Sequence, residues 1–137
     1  TCMGCHQQVQ AQNPRLDAVR AAWNGGKGDG PAVNWVKVHR IPDYAYFNHA
    51  VHVNRGVSCY SCHGPVNEMR VVFQHESQSM KWCLDCHRAP ENHLRPPDQV
   101  FNLAWKPASS QEQHQLGTKF KEEWDVNPPT TCGGCHR

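Results

Sequence analysis

Eight cysteines and ten histidines in a chain of 137 residues are the side chains to begin with, because thiols and imidazoles bind metals and redox cofactors. The cysteines fall in one pattern only: Cys2-Met-Gly-Cys5-His6, Cys59-Tyr-Ser-Cys62-His63, Cys83-Leu-Asp-Cys86-His87 and Cys132-Gly-Gly-Cys135-His136. No cysteine is left over, and a histidine follows every pair at once. Cys-x-x-Cys-His is the attachment signature of c-type haem. Both thiols add to the vinyl groups, and the adjacent histidine reaches the iron as proximal ligand. The spacing predicts four haem c groups held by Cys2, Cys5, Cys59, Cys62, Cys83, Cys86, Cys132 and Cys135, with His6, His63, His87 and His136 as the proximal iron ligands.

Other uses of paired cysteines explain less. Two Cys-x-x-Cys pairs can make a zinc site, but zinc has no need of a histidine after every pair. A thioredoxin-like redox motif would occur once, inside a βαβ pattern that is not visible here. A disulfide framework leaves the histidines without a role.

Six histidines remain for the opposite faces of the irons: His39, His49, His52, His75, His93 and His114. His49 and His52 are spaced i, i+3, on one face of a helical turn, a few residues before the second motif. One could serve the haem at Cys59 and Cys62 and the other a neighbouring haem, locking the two into a close pair. His39, at the end of the alternating run Trp35-Val-Lys-Val-His39, is the third candidate distal ligand. His75, His93 and His114 lie in polar surroundings that suit solvent or propionate contacts. Met80, three residues before the third motif, is a further distal candidate, since methionine both fills gaps and ligates haem.

The elements that must position these ligands are sparse. Hydrophobic residues make up 38% of the chain, including the cysteines, and ten prolines and ten glycines interrupt it. Such a chain cannot build an ordinary aliphatic core, so the cofactors must supply most of it. The fold expected is a multihaem cytochrome c, one domain over residues 1–137, of loops and short α-helices wrapped around stacked haems with very little strand. Asn13-Pro14 opens a helix with Leu16, Val19, Ala22 and Trp23 at helical spacing, and Asn24-Gly25-Gly26 ends it. A second helix is expected over about Ser110 to Trp124, tolerating Gly117, before Pro128-Pro129. Short helical turns around 79–88 and 43–53 would carry ligands. The glycine-rich run up to Pro31 lacks the Lys-Ser/Thr ending of a phosphate-binding loop and reads as a turn.

Charge and hydropathy exclude several classes. A net charge of +2 is too small to argue for nucleic acid or an anionic membrane surface. No apolar stretch approaches the roughly 20 residues that span a bilayer. The chain opens at Thr1 directly on a motif, so a processed or truncated start is expected, with room for a membrane anchor before it.

The string from Val38-His39-Arg-Ile-Pro42 through Phe47-Asn48-His49-Ala-Val-His52-Val-Asn54-Arg-Gly56-Val57, leading into Cys59-x-x-Cys62-His63-Gly64, resembles one family. So do Ser79-Met80-Lys-Trp82-Cys83-Leu-Asp-Cys86-His87-Arg88 and the closing Thr131-Cys-Gly-Gly-Cys-His-Arg137. The chain is similar to the pentahaem cytochrome subunit of bacterial alternative complex III, a quinol:acceptor oxidoreductase. The likeness implies a place on the periplasmic side of the cytoplasmic membrane, beside iron–sulfur and membrane subunits. Electrons derived from quinol would pass towards a soluble cytochrome c or a terminal oxidase. It also implies His39, His49 and His52 as distal ligands and draws Met80 towards that role. The family pattern has a further haem motif and an anchor ahead of the one matching Cys2–His6, absent from this sequence.

Two function classes follow. An electron-transfer subunit has two protein ligands on every iron; a multihaem enzyme needs an open iron and usually an unusual attachment motif or polar distal pocket. Four regular motifs and an excess of histidines favour the first. A haem filament fits the cofactor density but is selected by no residue. Propionates would bring the holoprotein to about −2, a field that gives little long-range steering and suits permanent assembly.

Overall fold

The computed structural model describes residues 2–136. Its elements are short and joined by long irregular segments: α1 (Met3–His6), α2 (Asp17–Trp23), α3 (His49–Asn54), α4 (Cys59–His63), α5 (Met80–Arg88), α6 (Ser110–Glu123) and α7 (Cys132–Cys135), with single 3₁₀ turns between some of them. Strand pairing among the described residues is confined to two isolated antiparallel bridges, Ala45 with His136 and Val57 with Leu94. The expected fold class, loops and short helices with very little strand, is the one observed.

The chain packs as two compact units, Thr1–Lys37 and Val38–Arg137. In the first, Asn13 caps the turn Pro14–Leu16 by accepting from Arg15 N at 3.0 Å. Helix α2 follows and stops at Asn24, which takes the left-handed conformation (φ 43°). Arg20 ties the helix to the segment before it, donating to Ala11 O (2.7 Å) and Asn13 O (3.1 Å).

In the second unit, α6 has the start its sequence announces. Ser109 accepts from Glu112 N at 3.1 Å, and the Glu112 carboxylate accepts from Ala108 N, a reciprocal pair that satisfies two otherwise unpaired amides. Gly117 is more than tolerated. A Cβ there would overlap the carbonyl of Glu91, so the missing side chain lets α6 lie directly on the turn Pro90–Asn92. Gln113 locks that contact by donating to Glu91 O (3.1 Å) and Leu94 O (2.8 Å), and Lys121 pairs with Glu91 at 2.8 Å. Helix α3 begins at His49, later than the expected 43–53, because the Asn48 side chain accepts from Ala50 N (2.9 Å) and sets the start there.

What is missing from the interior is apolar mass. Among the described residues only Met3, Leu94, Val100 and Phe120 are buried hydrophobes, while Trp35, Val36, Tyr46, Phe47, Val51, Val71, Phe73 and Phe101 are exposed. Four buried apolar side chains cannot offset the conformational entropy of ordering a hundred residues or more. The protein part of this fold requires other apolar surface to pack against.

Candidate functional site

Each Cys-x-x-Cys-His motif lies on or at the end of a helical turn: α1, α4, the latter part of α5, and α7. One turn brings residues i and i+3 to the same face, so each cysteine pair is presented side by side with its histidine one position further on. Ser58 and Ser79 cap the second and third motif helices through their side chains. None of the eight cysteines is paired in a disulfide. Burial pushes both Cys62 and Cys86 up to about 11, with neighbouring thiols adding to the shift. The second, third and fourth motifs share one neighbourhood, for Cys83 acts on Cys62, Cys62 on Cys86 and Cys135 on Cys83.

The imidazoles are held by backbone carbonyls. His6 Nδ1 lies 2.9 Å from Val9 O, His87 Nδ1 2.7 Å from Pro129 O, His136 Nδ1 3.3 Å from Tyr44 O and His52 Nδ1 2.8 Å from Asn48 O. A carbonyl can only accept, so in all four rings Nδ1 carries the proton and Nε2 keeps its lone pair. That is the tautomer a metal-binding histidine needs, and an outer hydrogen bond of this kind also fixes the ring's orientation. Burial lowers the pKa of His52 and of His63, which favours the neutral ring that can ligate.

Two ring pairs have the separation of an iron site. His49 and His63 have centroids 6.3 Å apart and planes 5° from parallel; His52 and His87 are 6.2 Å apart at 34°. With a metal–imidazole bond of about 2.0 Å on each side, and roughly 1.1 Å from each ring centre to its nitrogen, opposed ligands stand about 6.2 Å apart. Both pairs match that ring-centre separation, and both upstream members sit on the short helix α3. Phe47 packs against the two histidines of α3, 4.7 Å from His49 and 4.5 Å from His52, and wedges them into place.

The remaining expected ligands are placed differently. His39 Nε2 lies 3.2 Å from His63 Nδ1, with the rings edge to face at 4.3 Å. That distance is a hydrogen bond, and it brings the expected distal candidate His39 to the histidine of the second motif. For His63 to offer Nε2, its Nδ1 donates to His39. Met80 opens α5 and is 67% exposed. It shares that helix with His87. His75 lies beside Glu76 (3.1 Å) with its ring against Gly64, where a Cβ would come within 2.5 Å of it. His93 is half-buried with its pKa lowered by burial, and His114 stands 3.5 Å from Thr118 Oγ1 on α6. In the first unit, Cys2, Met3, Gly4, Gln7, Val19 and Trp23 are among the residues lining an apolar cavity of about 300 Å³ beside the first motif.

The sequence from residue 45 to 137 matches the family described as cytochrome c7 and related cytochrome c. The chain belongs to that family. It is therefore a multihaem c-type cytochrome whose cysteine motifs bind haem c covalently and whose work is electron transfer. Over 61 residues it is 38% identical to "Cytochrome c-552" of Porphyromonas gingivalis (strain ATCC BAA-308 / W83), a stretch covering 39% of this chain and 12% of that protein. The cytochrome thus matches about an eighth of the length of this curated relative. Among the described residues, no helix is long and apolar enough to cross a membrane.

Sequence reasoning missed the residues that hold the ligands. Tyr44, Asn48 and Pro129 act through carbonyl oxygens, which carry no side-chain signal. Arg95, buried beside the second motif, had none of the spacing cues of the ligands.

Proposed function

We propose that this cytochrome carries four haems c, one on each motif, and serves as an electron-transfer subunit on the periplasmic side of a quinol-oxidising membrane complex. When bound, haem iron alternates between ferric and ferrous and so carries one electron. The observation that supports a closed electron path best is the pair of iron-sized gaps opened from one helix: His49 opposite His63 at 6.3 Å and His52 opposite His87 at 6.2 Å. With two protein ligands on an iron, no substrate has a position to occupy. Because His49 and His52 are one turn apart, α3 holds the second and third sites side by side, which suits rapid exchange between them.

The chain's own residues do the rest. Backbone carbonyls hold the ligating imidazoles in one tautomer and one orientation, so little need rearrange when charge changes at the metal. The resemblance to the alternative complex III subunit supports iron–sulfur and membrane subunits as donors, and a soluble cytochrome c or terminal oxidase as acceptor. Membrane association would come through those subunits or through an anchor preceding the haem domain.

Haem counting by pyridine haemochrome and peptide mass, low-temperature EPR of the oxidised protein, and purification from native membranes test this reading together. Four low-spin haems, and co-purification with subunits that reduce them from quinol, are expected. A stoichiometric high-spin signal that shifts with nitrite or cyanide would replace it with an enzyme.

A further inference from the structure

Arg95 is the buried charged side chain among the described residues, 8% exposed. The ion pairs found there join Arg20 to Asp17, His75 to Glu76, Lys81 to Asp85 and Lys121 to Glu91, and none includes Arg95. Its guanidinium instead lies between two aromatic faces, 5.6 Å from the Tyr60 ring and 5.0 Å from Trp105, and donates to Asn102 O at 3.2 Å. Tyr60 is inside the second motif, between Cys59 and Cys62. Burial lowers the Arg95 pKa, and Tyr60 and Cys59 of the second motif act against that shift.

The position is rigid. Arg95 N donates to Gly56 O at 2.9 Å, and Val57 bridges Leu94, so the backbone leading into the second motif is paired with the residues around Arg95. Leu94, in that pairing, and Ser58, next to it, are each 1% exposed, the most buried side chains among the described residues. Arginine stays protonated even when burial lowers its pKa. A permanent positive charge with no carboxylate partner among the described residues is thus fixed against the second motif.

We propose that Arg95 is a potential-setting residue: its charge stabilises the reduced state of the haem held by Cys59 and Cys62 and raises that haem's reduction potential. An iron that gains an electron loses one positive charge, so a nearby cation repels the reduced form less than the oxidised form. A buried charge is also poorly screened by salt. The inference rests on the second motif carrying a haem opposite His49.

The test is an EPR-monitored redox titration of the purified holoprotein beside Arg95→Gln and Arg95→Lys. The signal of the second haem is the one that His49→Gly converts to high spin. Arg95→Gln should move that haem's oxidised-to-reduced ratio, at a fixed potential, about tenfold towards oxidised, which for one electron is about 59 mV. Arg95→Lys should keep it within about twofold of wild type, the other haems should move less, and the shift should survive high salt. An unchanged potential in Arg95→Gln overturns the proposal. So does an equal shift in Arg95→Lys accompanied by an equal loss of melting temperature, which would make the residue structural only. Peptide mass that finds no haem on Cys59 and Cys62 would instead remove the ligation reading, and this inference with it.

Discussion

Removing one imidazole of α3 at a time separates the two proposed iron sites. His49 and His52 are three residues apart, yet their rings lie beside different motif histidines, His63 and His87, at centre-to-centre distances of 6.3 and 6.2 Å. His49→Gly should therefore leave the Cys59–Cys62 haem five-coordinate and high-spin, and His52→Gly should do the same to the Cys83–Cys86 haem. Each variant should convert one haem equivalent and leave the others low-spin. The ring angles assign the signals. Planes 5° from parallel hold the two iron d-orbitals that interact with the ligands well apart in energy, giving an ordinary rhombic spectrum. Planes at 34° split them less and raise the highest g-value. His49→Gly should remove the more ordinary rhombic signal and His52→Gly the more anisotropic one. Added imidazole should restore low spin in both, because the glycine leaves a ring-sized opening. If the two losses are exchanged, or if either variant leaves every haem low-spin, the pairing drawn from these distances is wrong.

Blocking haem attachment should leave a chain with no cooperative thermal transition by far-ultraviolet circular dichroism, since Met3, Leu94, Val100 and Phe120 are the buried hydrophobes among the described residues. A sharp transition in the apoprotein would show that the protein core suffices. Gly117→Ala drives a methyl into the Glu91 carbonyl and should destabilise the holoprotein by roughly 2–3 kcal/mol, as overpacking does; a change within error in denaturant unfolding would count against the close packing of α6. The Lys121 hydrogen bond holds the Glu91 carboxyl below its ordinary value. Its folded pKa is thus lower than its unfolded one, so the pair stabilises above the unfolded carboxylate range and is lost as pH falls through the folded value. Glu91→Gln should be less stable than wild type near neutral pH and converge with it in acid, whereas parallel stability curves would show that the pair contributes nothing.

Local features were the legible ones. Asn13-Pro14 announced the turn that leads into α2, Ser109 with Glu112 the start of α6, and four Cys-x-x-Cys-His motifs the helical turns that present them. The i, i+3 spacing of His49 and His52 was visible as well, although Asn48 as the cap that sets the start of α3 was not used. What stayed hidden is non-local. His63 meets His39 from 24 positions away, His87 meets Pro129 from 42, and His136 meets Tyr44 from 92. Periodicity reports which residues share a face over a turn or two; it is silent on which carbonyl will lie behind an imidazole once loops have closed. Arg95 was hidden for a related reason, as its burial depends on Tyr60 and Trp105 arriving from either side.

The two histidines of α3 precede in the chain the motifs they face: His49 stands 14 positions ahead of His63, and His52 stands 35 ahead of His87. On the proposed ligation this imposes a schedule on assembly. As the chain emerges from its N-terminus, His49 is already waiting when the second motif appears, and closing that site immobilises α3. His52 is then displayed at a fixed angle before the third motif has been made. Each completed site thereby becomes the jig in which the next is fitted.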